Sequence, residues 1–161
     1  MDWIALLKTL GLCLISIIIE LISYSKKGTT WFENLRQPKY SFPFFVWFIV
    51  GGLYYIICGI IAYRLFHHSI RIFTLPVILL TLMMLLNGLP NFILFKFRSL
   101  QLFSWTFFPF ICVFILLIIV LFQTDKISAG LAGIYFLWLG YDIYYFLGLL
   151  KLNRNKPITK A

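Results

Sequence analysis

The sequence predicts an all-α integral membrane protein, one bundle of five transmembrane helices, and three observations predict it. The 161-residue chain is 62% hydrophobic and only 12% charged, too little polar surface to clothe a soluble fold of this size. Its apolar residues gather into five runs, at about 3–24, 42–65, 72–95, 100–123 and 127–150. Each is long enough, at 1.5 Å per residue, to cross a ~30 Å hydrocarbon core as a helix. Charged residues lie mostly between and after the runs, leaving one membrane domain over 1–161, with no second domain and no low-complexity segment.

The first run, Trp3 to Tyr24, is too long for the apolar region of a signal peptide, carries Lys8 and Glu20, and lacks a small-x-small cleavage site. It reads as a retained helix, with Lys8 snorkelling to its near interface and Glu20 reaching the far interface or the next loop. Residues 25–41, SKKGTTWFENLRQPKYS, form the longest polar connection. Thr30 ahead of Trp31, Phe32 and Glu33 predicts an N-cap, and a short interfacial helix ending near Gln37 and stopped by Pro38. Pro43 stands in the first turn of the second run, where its missing N–H costs nothing. Arg64, His67, His68 and Arg71 are expected in a tight return. The third run holds Pro76, Pro90, Asn87 and Asn91, and the fourth holds Pro109 but no charge. The tail 151–161 is basic and is expected to lose order beyond its first turn.

Charge distribution sets the expected orientation. The 25–41 loop, the turn after run three and the tail together hold ten Lys and Arg, against four elsewhere. The positive-inside rule therefore puts the loop and the C-terminus in the cytoplasm and the N-terminus outside. The net charge of +9 suits anionic headgroups; without a basic amphipathic or Gly-aromatic module it does not indicate nucleic acid. Cys13, Cys58 and Cys112 lie within apolar runs at no metal-ligand spacing and read as inert thiols. His67 and His68 are adjacent and point apart, which disfavours a shared metal.

Several polar or small residues fall at one depth. Gly51, Asn87, Trp138 and Asp142 lie roughly 12 to 18 Å from the cytoplasmic ends of their helices. Asn87 and Asn91, Trp138 and Asp142, and Trp47, Gly51 and Tyr55 each share a face at i, i+4 spacing. Polar atoms are expensive in lipid, so these faces turn towards one another or towards a wet cavity. Asn87 and Asn91 serve equally well as interhelical glue, satisfying the backbone freed by Pro90, and Gly51 and Gly52 equally well as close-packing positions. Asp142 is the residue hardest to explain as packing: a lone carboxylate in a span costs at least ~2.5 kcal/mol on insertion scales. Its simplest structural partner is a Lys or Arg of the long loop.

These residues resemble the tryptophan-rich sensory protein and translocator protein family (TspO/MBR, the former peripheral benzodiazepine receptors). Trp31-Phe32, Leu35, Pro38, Tyr40 and Pro43 resemble its loop pattern; Trp47, Tyr55 and Gly59 its second helix; Asn87 its third-helix Asn; Tyr135 to Trp138 its fifth-helix Tyr-x-x-Trp. The likeness covers essentially the whole chain in order, length and span count. Departures are Gly51 at the family's helix-two Trp, Phe42-Pro43 for its paired prolines, Pro90-Asn91-Phe92 for its Trp-Ser-Pro, Ile134 for the Pro before its helix-five Tyr, and Asp142 for a small residue.

The resemblance implies a five-transmembrane-helix bundle of the TspO/MBR type, often homodimeric, with a cavity beneath the first loop. Members bind porphyrins such as protoporphyrin IX, many bind benzodiazepine-type or isoquinoline ligands, and eukaryotic members bind cholesterol. The expected site is then Trp31, Phe32, Trp47, Gly51, Tyr55, Asn87, Asn91, Tyr135, Trp138 and Asp142, with a rim of Lys26, Lys27, Arg36, Pro38, Lys39 and Tyr40. Aromatic walls suit a flat apolar ring system, and the basic rim suits its carboxylates. Asp142 instead favours a cationic or amine-bearing ligand. The leading expectation is a receptor or carrier-like protein for a porphyrin or other planar hydrophobic molecule, with no catalytic residue, metal or cofactor. Light- or oxidant-dependent porphyrin degradation at Trp138 is the enzymatic alternative, and a regulatory subunit acting through a protein partner the third. The short basic loops and the absence of a transit segment point to a bacterial inner membrane.

Overall fold

The computed structural model describes residues 2–68 and 74–154, and among them every regular element is a helix. These are α1 (Trp3–Ser23), α2 (Lys26–Glu33), α3 (Phe44–His68), α4 (Leu75–Phe92), which runs on into a π turn at Ile93–Phe97, α5 (Leu100–Thr124) and α6 (Lys126–Asn153). All but α2 are long and apolar enough to span a bilayer, α4 together with its π turn, so the fold is a five-helix membrane bundle.

Side-chain caps close the ends. Asp2 Oδ1 accepts from the Ile4 and Ala5 N–H groups, and Ser99 Oγ from Leu102. Asp125 both ends α5 and starts α6, accepting from Ile127 N–H at 3.2 Å and from the Ser128 hydroxyl at 2.7 Å. It also takes a bidentate pair from Arg64 of α3, Nε to Oδ2 at 2.7 Å and a terminal nitrogen to Oδ1 at 2.9 Å. Those guanidinium hydrogen bonds hold the Asp125 carboxyl well below the usual carboxylate range.

Local structure differs from expectation in three places. The interfacial helix begins at Lys26 with Ser25 as its cap, the hydroxyl accepting from Gly28 N–H at 3.1 Å, and it ends at Glu33 rather than near Gln37. Ser25 wins over Thr30 because it also bonds the chain beneath it: its hydroxyl donates to the Phe95 carbonyl at 3.3 Å, an oxygen of the π turn. A Cβ on Gly28 would fall 2.3 Å from that same oxygen, so only glycine lets α2 lie this close. Second, α3 continues to His68, so His67 closes a helix instead of standing in a turn; Arg71 lies outside the described residues, as do Ile72, Phe73 and the tail from residue 155. Third, α4 widens into the π turn after Pro90, which has no N–H to give, and Arg98 ends it in the left-handed conformation at φ 50°.

The spanning helices close a ring in the order α1, α4, α5, α6, α3 and back to α1. Away from the α2 loop the ring is filled: Ile61, Leu80, Met83, Met84, Phe114, Leu117 and Leu121 are all buried there, with Ala62, Ala129 and Ala132. Beneath the loop a second cluster, Phe32, Leu35, Leu94, Phe95, Leu100, Phe103, Tyr145, Phe146 and Leu149, forms a lid of side chains. On α1 the inward face is small and hydroxylated. Thr9, Ser16 and Ser23 are buried, and each hydroxyl donates to the carbonyl four residues earlier, which satisfies it without a partner helix.

Candidate ligand-binding cavity

Between the filled half and the aromatic lid lies a cavity to which every spanning helix contributes. Glu20 and Tyr24 come from the end of α1, Trp47, Val50 and Gly51 from the start of α3, and Asn87, Pro90 and Asn91 from the end of α4. Thr106 and the rings of Phe103, Phe107 and Phe110 come from α5, and Tyr135, Trp138, Asp142 and Phe146 from α6. Its interior is about 120 Å³.

The walls are aromatic and interlocked. Trp47 meets Trp138 edge to face at 5.7 Å between centroids, Phe103 lies 4.2 Å from Phe146 and Phe107 5.2 Å from Phe103. Gly51 leaves a gap in this wall, since a Cβ there would meet nothing within 4 Å.

Two carboxyl groups face this aromatic space. Glu20 is held at both oxygens: Tyr55 donates its hydroxyl to Oε2 at 2.5 Å, and Asn91 Nδ2 donates to Oε1 at 3.0 Å. Asp142 differs. Its Oδ1 is buried, and among the described residues no donor reaches it; the Trp138 indole lies beside the same carboxyl, and no Lys, Arg or His lines the cavity. The expected loop Lys or Arg partner for Asp142 is therefore not at hand.

Of the residues expected at the site, Trp47, Gly51, Asn87, Asn91, Tyr135, Trp138 and Asp142 line the cavity. Tyr55 stands one hydrogen bond behind it, through Glu20. Trp31 and Phe32 do not line it; Phe32 is buried in the lid against Phe95 and Phe146, and Trp31 packs on the same cluster. Lys26, Lys27, Arg36 and Lys39 are exposed on the loop and are not among the lining residues. Pro38 is buried, its Cγ 2.9 Å from where a Cβ on Gly148 would stand.

That loop is stapled to α6 along one face. Tyr141 donates its hydroxyl to the Tyr40 carbonyl at 2.9 Å and accepts from Phe42 N–H at 3.2 Å. Tyr145 donates to Gln37 Oε1 at 2.7 Å, and Asn153 bonds both the N–H and the carbonyl of Arg36. The carboxylate missed from sequence is Glu20, expected at an interface or loop and instead turned inward. Its signal was present in the stripe Thr9, Ser16, Glu20 and Ser23, one helical face that carries all the inward polar groups of α1.

A five-helix membrane bundle with an aromatic, carboxyl-bearing cavity under a stapled loop defines a membrane protein built around an internal site. Residues 9–151 match the TspO/MBR family, and the chain belongs to that family. A search of individually curated proteins gives no match.

Proposed function

We propose that the protein is a membrane receptor or carrier-like protein that binds a planar hydrophobic ligand, a porphyrin being the leading class, in the cavity beneath the α2 loop. Membership of the TspO/MBR family supports a receptor or carrier role in general. The observation that carries the finer reading is the edge-to-face pair of tryptophans, Trp47 and Trp138, lining one cavity with Phe103, Phe107 and Phe146. Rings arranged this way offer faces and edges to a flat π system. The excess of Lys and Arg at the loop-side end supports a cytoplasmic mouth, and the same reading takes the membrane to be a bacterial inner membrane and the protein to pair as a homodimer.

Thermal unfolding of the detergent-purified protein against protoporphyrin IX tests this reading. A ligand that binds only the native state at a hundredfold excess over its dissociation constant stabilises it by about 2.7 kcal/mol. The expected outcome is a raised midpoint and quenched tryptophan fluorescence, both lost in the Trp138→Ala, Asn87→Ala double variant. Unchanged affinity in that variant would move the site elsewhere.

A further inference from the structure

We propose that Asp142 selects, from among planar hydrophobic ligands, those that carry a basic amine, pairing with the ammonium group inside the cavity; this rests on the cavity being the binding site. The two carboxyl groups are set on α1 and α6, which are not neighbours in the ring, and they are not equivalent. Glu20 has both oxygens engaged, by Tyr55 and Asn91, and is a finished part of the wall. Asp142 Oδ1 is buried against the same space, and among the described residues no donor reaches it. Among the described residues no basic side chain lines the cavity, so a cationic donor for Oδ1 would arrive with the ligand.

The chemistry of that donor follows from the surroundings. A carboxylate placed at this depth would stand against both Glu20 and Asp142, and like charges in a low-dielectric site repel strongly, so a ligand's acidic groups would have to lie away from this part of the cavity. An amine makes the opposite arrangement, a charge-assisted hydrogen bond at the depth where water competes least. It needs no bare charge to enter lipid: a neutral amine meeting a protonated carboxyl forms the same pair as the proton passes from oxygen to nitrogen. The aromatic walls around the carboxyl add cation–π attraction. The chain as a whole carries +9 and at long range disfavours a cation, so a preference for one reports the local carboxyl and not the overall field.

Matched probes of one shape test this. Acridine and 9-aminoacridine are flat tricycles of nearly equal area, and at pH 7.5 only 9-aminoacridine is a cation, protonated at its ring nitrogen and presenting N–H donors to a carboxylate. Binding to the purified protein is followed by tryptophan quenching in wild type, Asp142→Asn and Asp142→Glu. The amine is expected to bind wild type about tenfold more tightly than acridine, the scale of a hydrogen bond to a charged group. Asp142→Asn brings the ratio near one and Asp142→Glu keeps the preference, with thermal melts of each variant showing that it is folded. Equal affinities in wild type, or a ratio that survives Asp142→Asn, overturn the inference while leaving the cavity as a binding site. Failure of both probes to bind wild type overturns the inference through the reading on which it rests.

Discussion

The half of the bundle away from the α2 loop and the half beneath it are cut from the same helices, yet one is filled and the other is hollow. In the filled half, aliphatic and methionine side chains from α3, α4 and α5 interdigitate over alanines of α6. The hollow half takes its residues at the same helical spacing, but they are tryptophans, asparagines, carboxyls and one glycine that fills no space. Lipid explains why both coexist. Burial from water contributes little between helices already in hydrocarbon, so contact geometry decides stability. A bundle can therefore carry a cavity at one end provided that the other end is closely packed and the polar groups around the cavity are bonded. Glu20, Tyr55 and Asn91 meet that second condition among themselves, and among the described residues Asp142 Oδ1 does not.

The largest expected effect that tests this contrast is in the filled half. Leu117 is fully buried. Leu117→Ala leaves a void, and with the transfer part of the cost reduced by the lipid reference state the loss is about 2 kcal/mol. Phe107→Ala, at the cavity wall, is expected to lose less than half of that, because one side of the ring already faces open space. Reversible unfolding in mixed detergent micelles measures both, and equal losses would erase the distinction between the halves.

A smaller effect sharpens it at the loop. Gly28→Ala drives a Cβ into the Phe95 carbonyl and is expected to cost about 1–2 kcal/mol as α2 lifts from the π turn. Gly51→Ala adds a methyl to open space and is expected to change stability by no more than about 0.5 kcal/mol. Parallel thermal melts compare the two, and a costly Gly51→Ala would mean that the gap in the wall is smaller than described.

Smallest is the cap at the far end. Asp125→Ala removes an N-cap worth about 1 kcal/mol, together with the partner of Arg64. Because hydrogen bonds from Arg64 lower the folded-state pKa of Asp125, its contribution is present above the ordinary carboxylate value of about 3.9 and fades as pH falls through the folded value. The gap between wild type and Asp125→Ala should therefore be full at pH 7 and narrow below about pH 4. A constant gap down to acid pH would show that the ion pair contributes nothing beyond the cap.

The solvent and the span count were legible in the sequence, since run length against bilayer thickness is a one-dimensional property. So was much of the cavity wall: Asn87 with Asn91, and Trp138 with Asp142, sit at i, i+4 spacing, and polar groups in lipid have only one direction to turn. Tertiary structure decided the rest. It took Glu20 from an interface into the wall, because the small hydroxylated face of α1 packs inward and carries it there. It took Trp31 and Phe32 out of the cavity wall and into the lid, because the loop lies flat on the π turn of α4 and is stapled to α6 by Tyr141, Tyr145 and Asn153. Helices that are apolar on every side, such as α3, give no amphipathic signal of their inward face when lipid and core are equally apolar. For such helices the neighbours' shapes choose the face, and shape is not written along the chain.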